Sequence, residues 1–320
     1  MMPIAYRPAV PRSLALFYLA RGADDDHLAS FRRFARAYRD LPAGVDHTLF
    51  VIFKGFRDAA HLEAGKAAFA ELAYRPLHTD DESFDIGAYA AAAAQITHER
   101  VCCLNTHSEP LAAAWLGKLA ANLDQPRVGL VGATGSFESL RPLDQRFPAF
   151  PNVHVRSNAF MIERTLLLSL LSGVRIRDKF DAFFAESGSW SITRQVFERG
   201  LSAAVVGRDG RGYTPTWWPV SQTFRQGMQA NLMVADNATR DFERLPWSGK
   251  QDRCRRTWGR HLQPDIATLS PGRLYSVANQ PSASPSLATD RFATPPKSSA
   301  AGPQMAGTAQ PTDIQRTEST

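Results

Sequence analysis

Three short apolar runs set the terms on which this chain can fold. Residues 13–19 read Ser-Leu-Ala-Leu-Phe-Tyr-Leu, residues 48–53 read Thr-Leu-Phe-Val-Ile-Phe, and residues 100–104 read Arg-Val-Cys-Cys-Leu. A strand with one wet face alternates apolar and polar residues, whereas a continuous apolar run belongs to a strand covered on both faces. Between the first two runs, Leu28, Phe31, Phe34 and Tyr38 recur at three- and four-residue spacing, with Arg32, Arg33, Arg36 and Arg39 on the other face. That is the pattern of an amphipathic helix, here starting near His27. Residues 59–72 repeat it. Strand, helix, strand, helix in that order predicts a parallel sheet with right-handed crossovers and helices on its faces.

The third run passes into Asn105, Thr106, His107, Ser108, Glu109 and Pro110. Ligands of open α/β sheets bind outside the carboxyl ends of the strands, so this turn is the first place to look for chemistry. Asn and His after a strand serve equally well as loop caps, and the tripeptide alone does not choose. Asp24, Asp25 and Asp26 stand at the start of the first helix, where they read as N-capping and dipole compensation rather than metal ligands. Asp85, followed by Gly87 and the Ala-rich run 90–94, caps a helix or presents a carboxylate to a ribose or base, and the two roles are compatible.

Farther along, residues 111–123 predict a helix with Trp115, Leu119 and Leu123 inward, and residues 128–138 a strand running into a glycine-rich loop. That loop has neither GxGxxG spacing nor the Lys-Ser/Thr ending of a phosphate cradle, so its glycines read as sites of close backbone approach. Residues 141–151 are Pro-rich and non-periodic, a loop over the site. Residues 153–162 predict one strand, followed by a Leu-rich helix ending near Gly173. Ser187, Gly188 and Ser189 are expected to open a helix with Ile192, Val196 and Phe197 inward, ended by Gly200, with a short strand at 203–206. Glu186 then sits just before a helix, where free N–H groups and the positive dipole end would hold its carboxylate ionised, either as a cap or as a general base. Tyr213, Trp217 and Trp218 read as a cluster that stacks a sugar ring or packs the sheet edge, residues 224–242 as helical, and the basic stretch 253–260 around Trp258 as a candidate peripheral membrane contact. Residues 263–320, rich in Ser, Thr, Pro and Ala, are expected to be a disordered tail.

Composition excludes more than it assigns. A chain of 320 residues with 44% hydrophobic and 21% charged residues has ample core for a soluble globular domain, and no apolar run approaches the ~20 residues that span a bilayer. The start carries no apolar signal core, which gives the expectation of a cytoplasmic protein. Three cysteines, two adjacent, make neither a disulfide framework nor a zinc site and read as small buried hydrophobes. The net charge of +6 is diffuse: it suits anionic ligands such as sugar nucleotides or acidic headgroups and argues against dedicated nucleic-acid binding.

Several of these stretches together resemble a known family. Ser83-Phe84-Asp85-Ile86-Gly87, Leu104-Asn105-Thr106-His107, Gly135-Ser136-Phe137-Glu138, the strand with Ser157-Asn158-Ala159-Phe160, and Glu186-x-Gly188 followed by Arg194 and Gly200 are similar, in that order, to motifs of GT-A-fold glycosyltransferases. The likeness is to the rhamnan-synthesis type of polysaccharide glycosyltransferases and covers residues 13–207. It implies an α/β, GT-A-like (Rossmann-like), mostly parallel sheet flanked by helices over residues 1–262, with a nucleotide-binding half (13–125), an acceptor half (126–212) and an aromatic and helical appendage (213–262). It implies further that Asp85 and Gly87 meet the nucleotide, that Asn105 and His107 line the diphosphate, and that Arg194 lies near the pyrophosphate or acceptor. Glu138, Ser157 and Asn158 would lie on the acceptor side. Glu186 would be the base of an inverting transfer from a nucleotide-sugar donor to a glycan or glycolipid acceptor, in surface polysaccharide synthesis. The sequence departs from the family where Asn105-Thr106-His107 replaces the metal-binding DXD and Ser187 replaces the Asp of a Glu-Asp pair. Metal dependence is therefore open between Mn²⁺ or Mg²⁺, with His107 as a ligand, and a metal-independent site, and a non-catalytic GT-A-like binding or scaffold protein is the alternative to an enzyme.

Overall fold

A computed structural model describes residues 12–82 and 84–261; Ser83 and the tail expected at 263–320 lie outside the described residues. The elements follow the chain as β1 (Leu14–Arg21), α1 (His27–Asp40), β2 (Thr48–Lys54), α2 (Ala59–Lys66), β3 (Arg75–His78), α3 (Phe84–Ala94), β4 (Arg100–Leu104), β5 (Glu109–Pro110), α4 (Trp115–Leu123), β6 (Val128–Gly132), β7 (Gly135–Ser136) and β8 (His154–Val155). They continue as β9 (Ala159–Glu163), α5 (Arg164–Leu170), α6 (Lys179–Ser187), α7 (Ile192–Glu198), β10 (Ser202–Val206), β11 (Gly212–Tyr213), β12 (Val234–Ala235), α8 (Asn237–Arg244) and α9 (Trp247–Trp258).

The main sheet has eight strands in the order β11-β10-β6-β9-β4-β1-β2-β3. Pairing is parallel from β4 through β1 and β2 to β3 and between β6 and β10, while β9 runs antiparallel to both β4 and β6 and β11 antiparallel to β10. The expected mostly parallel sheet flanked by helices is thus the fold observed. The apolar runs are covered on both faces: Ala15, Phe17 and Leu19 of β1 belong to one core cluster, and Leu14, Leu16, Tyr18 and Ala20 to the other. Cys102 and Cys103 are divided between the two clusters in the same way, and all three cysteines are free and buried. Burial pushes their thiols up, that of Cys254 to about 11, which makes them inert.

Four local expectations are corrected. Residues 153–162 do not form one strand: β8 pairs with β7 in a separate ladder, and β9 begins only after a turn at Arg156, Ser157 and Asn158. Residues 224–242 are not one helix, because Gln222, Arg225 and Gln229 adopt positive φ and the glutamine side chains hold the turns. The helix there starts at Asn237, set by a capping box between Asp236 and Thr239. The helix of residues 111–123 begins late, at Trp115, because β5 first pairs with β12. Trp258 is fully buried and donates to the Phe224 carbonyl at 2.9 Å, so it is a core residue rather than a membrane anchor. The glycine-rich loop does need its glycines: a Cβ at Gly132 would lie 2.3 Å from Val155. No helix among the described residues is long and apolar enough to cross a membrane.

Candidate active site

Chain order places the site. From β1 the sheet grows outward through β2 to β3 and then restarts on the other side of β1 with β4, so a crevice opens at the carboxyl ends of β1 and β4. Thr106 spans it: its carbonyl accepts from the Tyr18 hydroxyl at 2.6 Å, and its Oγ1 accepts from the Arg21 backbone N–H at 3.4 Å. Asn105 closes its own turn, with Oδ1 accepting from the His107 N–H at 3.1 Å and the Ser108 hydroxyl at 2.8 Å. Above these residues lies a cleft of about 290 Å³ lined also by Arg21, Asp24, Phe84, Asp85, Ser157, Lys179, Phe183 and Glu186.

One wall is made of satisfied ion pairs. Arg21 forks onto Asp81 at 2.9 and 2.8 Å and reaches Asp24 at 2.7 Å, while the buried Lys54 ammonium donates to the Phe84 carbonyl at 2.8 Å and lies 3.5 Å from Asp81. Burial works to raise the Asp81 carboxyl, but Arg21 and Lys54 outweigh it and hold the group below the ordinary carboxylate range. His107 stands with Nε2 3.6 Å from Asp24 and Nδ1 3.6 Å from Asp26 and 3.2 Å from the Ser30 hydroxyl. Asp26 is likewise lowered, its burial overcome by His107, Arg33 and Ser30. The aspartate run therefore does not cap α1 through its side chains: Asp26 at the N-cap makes no side-chain cap bond, and its carboxylate faces His107 and Arg33.

The opposite wall carries carboxylates that are not neutralised. Ser157, in the turn before β9, donates its backbone N–H to Glu186 Oε1 at 2.8 Å and its hydroxyl to Asp85 Oδ2 at 3.1 Å. One serine thus bridges a carboxylate from α3 and one from α6, two helices that pack together. Burial raises the Glu186 carboxyl above its ordinary range against the pull of Arg156 and of Ser157; burial and then the charge of Glu186 raise Asp85. The expectation that a helix N-terminus keeps Glu186 ionised is overturned. Glu186 is the last residue but one of α6, at the negative end of that helix, and the cap of α7 is Ser191, which accepts from the Arg194 N–H. Behind this wall Arg156 donates to Asp236 at 2.7 Å in a nearly sealed pair and lies over the Phe224 ring at 4.2 Å.

Of the residues singled out from sequence, the fold gathers Asp85, Asn105, His107, Ser157 and Glu186 at one cleft, whereas Gly87, in the first turn of α3, does not line it. Arg194 is exposed on α7, away from the cleft. Glu138 pairs with Arg225 at 2.6 Å beneath the 139–151 loop, and Asn158 is buried, bound to Thr134 at 2.5 Å, with its carbonyl holding Asn105 and Ser108. Neither lines the cleft, and Asn158 supports the Asn105 turn. Sequence reading missed Arg21, Phe84, Lys179 and Phe183; Arg21 carried a signal, a charge ending an apolar strand, and the α6 residues carried none, because α6 itself was not foreseen.

The residues at the DXD position do not fit a resident divalent cation: Asn105 Oδ1 is used within its own turn, and no group of three or more His, Cys, Asp or Glu is placed to hold a metal among the described residues.

No protein-family model and no curated protein matches the chain. Solved structures to which it is similar include mouse xyloside xylosyltransferase 1 (14% identity, TM-score 0.37, covering 62% of this chain and 85% of that one). GalNAc-T7, solved with UDP, GalNAc and Mn²⁺, is similar at 12% identity and TM-score 0.43 over 65% of this chain, which spans only 43% of that protein. The 4-diphosphocytidyl-2C-methyl-D-erythritol synthase of Anaerococcus prevotii is similar at 11% identity and TM-score 0.38 over 62% of this chain and 89% of that one. Likenesses this distant, among proteins of differing names, carry no argument about reaction, substrate or metal.

Proposed function

We propose that this chain is a GT-A-like glycosyltransferase, moving a sugar from a nucleotide-sugar donor to a hydroxyl of a glycan or glycolipid acceptor, with inversion. The observation that carries the reading is the convergence of Glu186, Asp85 and Ser157 on the cleft that Asn105, Thr106 and His107 floor at the β1/β4 crevice. Glu186 is oriented by the Ser157 N–H through one oxygen, and its raised proton affinity suits a group that must take a proton from an attacking hydroxyl. The hydroxyl oxygen forms the new bond to the anomeric carbon as the bond to the diphosphate breaks, and the hydroxyl proton passes to Glu186. No step here is routed through a metal, and Asp85 is assigned to the nucleotide side, with Gly87 and Arg194 left outside. A place in surface polysaccharide assembly belongs to the same reading and follows from the family resemblance.

Calorimetry and turnover with a panel of UDP-, GDP- and dTDP-sugars, with and without Mn²⁺, test it. Binding of one donor with release of its nucleoside diphosphate supports the enzyme. Asn105 spending its oxygen inside its own turn favours the alternative, a binding or scaffold protein of polysaccharide assembly, and tight donor binding without turnover would select that alternative. Failure of every donor to bind overturns both.

A further inference from the structure

Six large hydrophobic side chains are exposed among the described residues: Leu143, Phe150, Phe180, Trp190, Met228 and Trp247. Scattered singly they would need no explanation, but the first four share one face. Leu143, 78% exposed, and Phe150 line a groove of about 710 Å³ on the 139–151 loop together with Arg141 and Arg256. Under the loop, buried Phe147 stacks on Phe184 of α6 at 4.2 Å, with Phe180 6.1 Å from Phe147 and Trp190 6.3 Å from Phe184 in nearly parallel planes. The Ser189 hydroxyl ties the Trp190 turn to the Arg146 carbonyl at 3.0 Å. The apolar tips therefore stand on a packed aromatic base rather than on a loose loop.

The cations around them are only partly neutralised: Arg256 of the groove pairs with Asp252 at 2.9 Å. Arg146 and Arg177 are offset by Asp144 and Asp181. Arg141 and Lys179 are exposed and have no ion pair among the described residues. A second copy of the chain seated on this face would set these cations against one another. A surface that accepts inserted apolar side chains and offers negative charge around them is an anionic bilayer.

We propose that this face docks on an anionic membrane surface, with Leu143, Phe150, Phe180 and Trp190 entering the headgroup layer and Arg141 and Lys179 meeting lipid phosphates. The docking does not depend on the reaction, but it has a consequence for it. α6 carries Phe183 and Glu186 into the cleft and Phe180 and Phe184 against the loop, so one helix, about 10 Å across, separates the membrane face from the proposed base. A lipid-anchored acceptor would then reach the cleft without leaving the bilayer.

Flotation of the full chain with vesicles of phosphatidylcholine alone, and of phosphatidylcholine mixed equally with phosphatidylglycerol, tests this. Binding to the anionic vesicles is expected to be roughly tenfold or more tighter and to weaken in high salt, since each interfacial cation contributes through the surface potential. The pair Leu143→Asp with Trp190→Asp should lower it roughly tenfold, as should Arg141→Glu, while Trp247→Asp, on an exposed aromatic elsewhere, should leave it unchanged. Equal or absent binding to the two vesicle types overturns the proposal, as does unaltered binding by the double variant or an equal loss in Trp247→Asp. Sedimentation velocity covers the remaining occupant: a dimer that Leu143→Asp dissociates would make the face a self-interface and also overturn it.

Discussion

The two walls of the cleft are built from the same residue types and end in opposite electrostatic states. On the β1 side, Asp24, Asp26 and Asp81 are matched by Arg21, Lys54, Arg33 and His107, and Asp26 and Asp81 are lowered. On the α3/α6 side, Asp85 and Glu186 share a neutral serine and are raised. Burial acts in the same direction on both walls but reaches deeper at Asp85 and Glu186 than at Asp26 and Asp81, so the difference comes from depth as well as from what stands beside each carboxylate. A wall whose charges are satisfied holds shape, and a wall whose carboxylates keep an unmet demand for a proton can do proton chemistry.

The comparison can be broken in several ways, the largest expected effect first. Glu186→Gln keeps an oxygen for the Ser157 N–H but cannot take a proton, and it should lower turnover of whichever donor the panel identifies by roughly a hundredfold or more while leaving donor affinity nearly intact. Transfer at the parental rate would remove Glu186 from the mechanism. Arg156→Leu leaves the sealed Asp236 carboxylate without its partner and should cost about 3–5 kcal/mol in chemical denaturation; a loss under about 1 kcal/mol would show that the capping bonds alone support Asp236.

A third test uses the sign of the titrations. For Asp85 and Glu186 the folded state holds protons more tightly than the unfolded chain, so their contribution to stability declines as pH rises from the ordinary carboxylate range through their raised values. Asp85→Asn and Glu186→Gln should each stabilise the protein at neutral pH by about 1 kcal/mol, the usual scale of an activity–stability conflict, with the gain vanishing in acid. Asp81→Asn should do the reverse: its carboxylate contributes above the ordinary range, and that contribution is lost as pH falls through its lowered value. Melting curves of the three variants across pH would merge the two walls into one class if all shifts shared a sign. The smallest effect is expected from Ser157→Ala, which removes the hydroxyl bond to Asp85 but keeps the N–H to Glu186. It should cost roughly 1 kcal/mol or less of stability and move the pH profile of transfer more than the affinity for donor.

Much of the fold was legible in the chain because it is local and redundant. The runs at 13–19, 48–53 and 100–104 are apolar without interruption, and the observed β1, β2 and β4 follow them within two residues at either end. The Leu28, Phe31, Phe34 spacing marks α1 equally well. The site was legible in part, since Asn105 and His107 follow a strand end and Asp85 opens a helix. Glu186 was found for a reason the structure reverses, because Ser187, Gly188 and Ser189 read as a start when Ser187 ends α6 and Gly188 caps it. No local pattern could have shown α6, whose aromatic residues face partly the cleft and partly a loop in which Phe147 lies 37 residues upstream of Phe184.

By itself, then, the sequence determined which segments are strands covered on both faces and that they alternate with helices, since burial of apolar surface writes a periodicity that can be read one segment at a time. Only the tertiary structure decided which carboxylates meet cations and which meet each other. Asp85 and Ser157 lie 72 residues apart and Arg156 and Asp236 lie 80 apart, and a proton affinity depends on what stands within a few ångströms, which no short stretch of chain records.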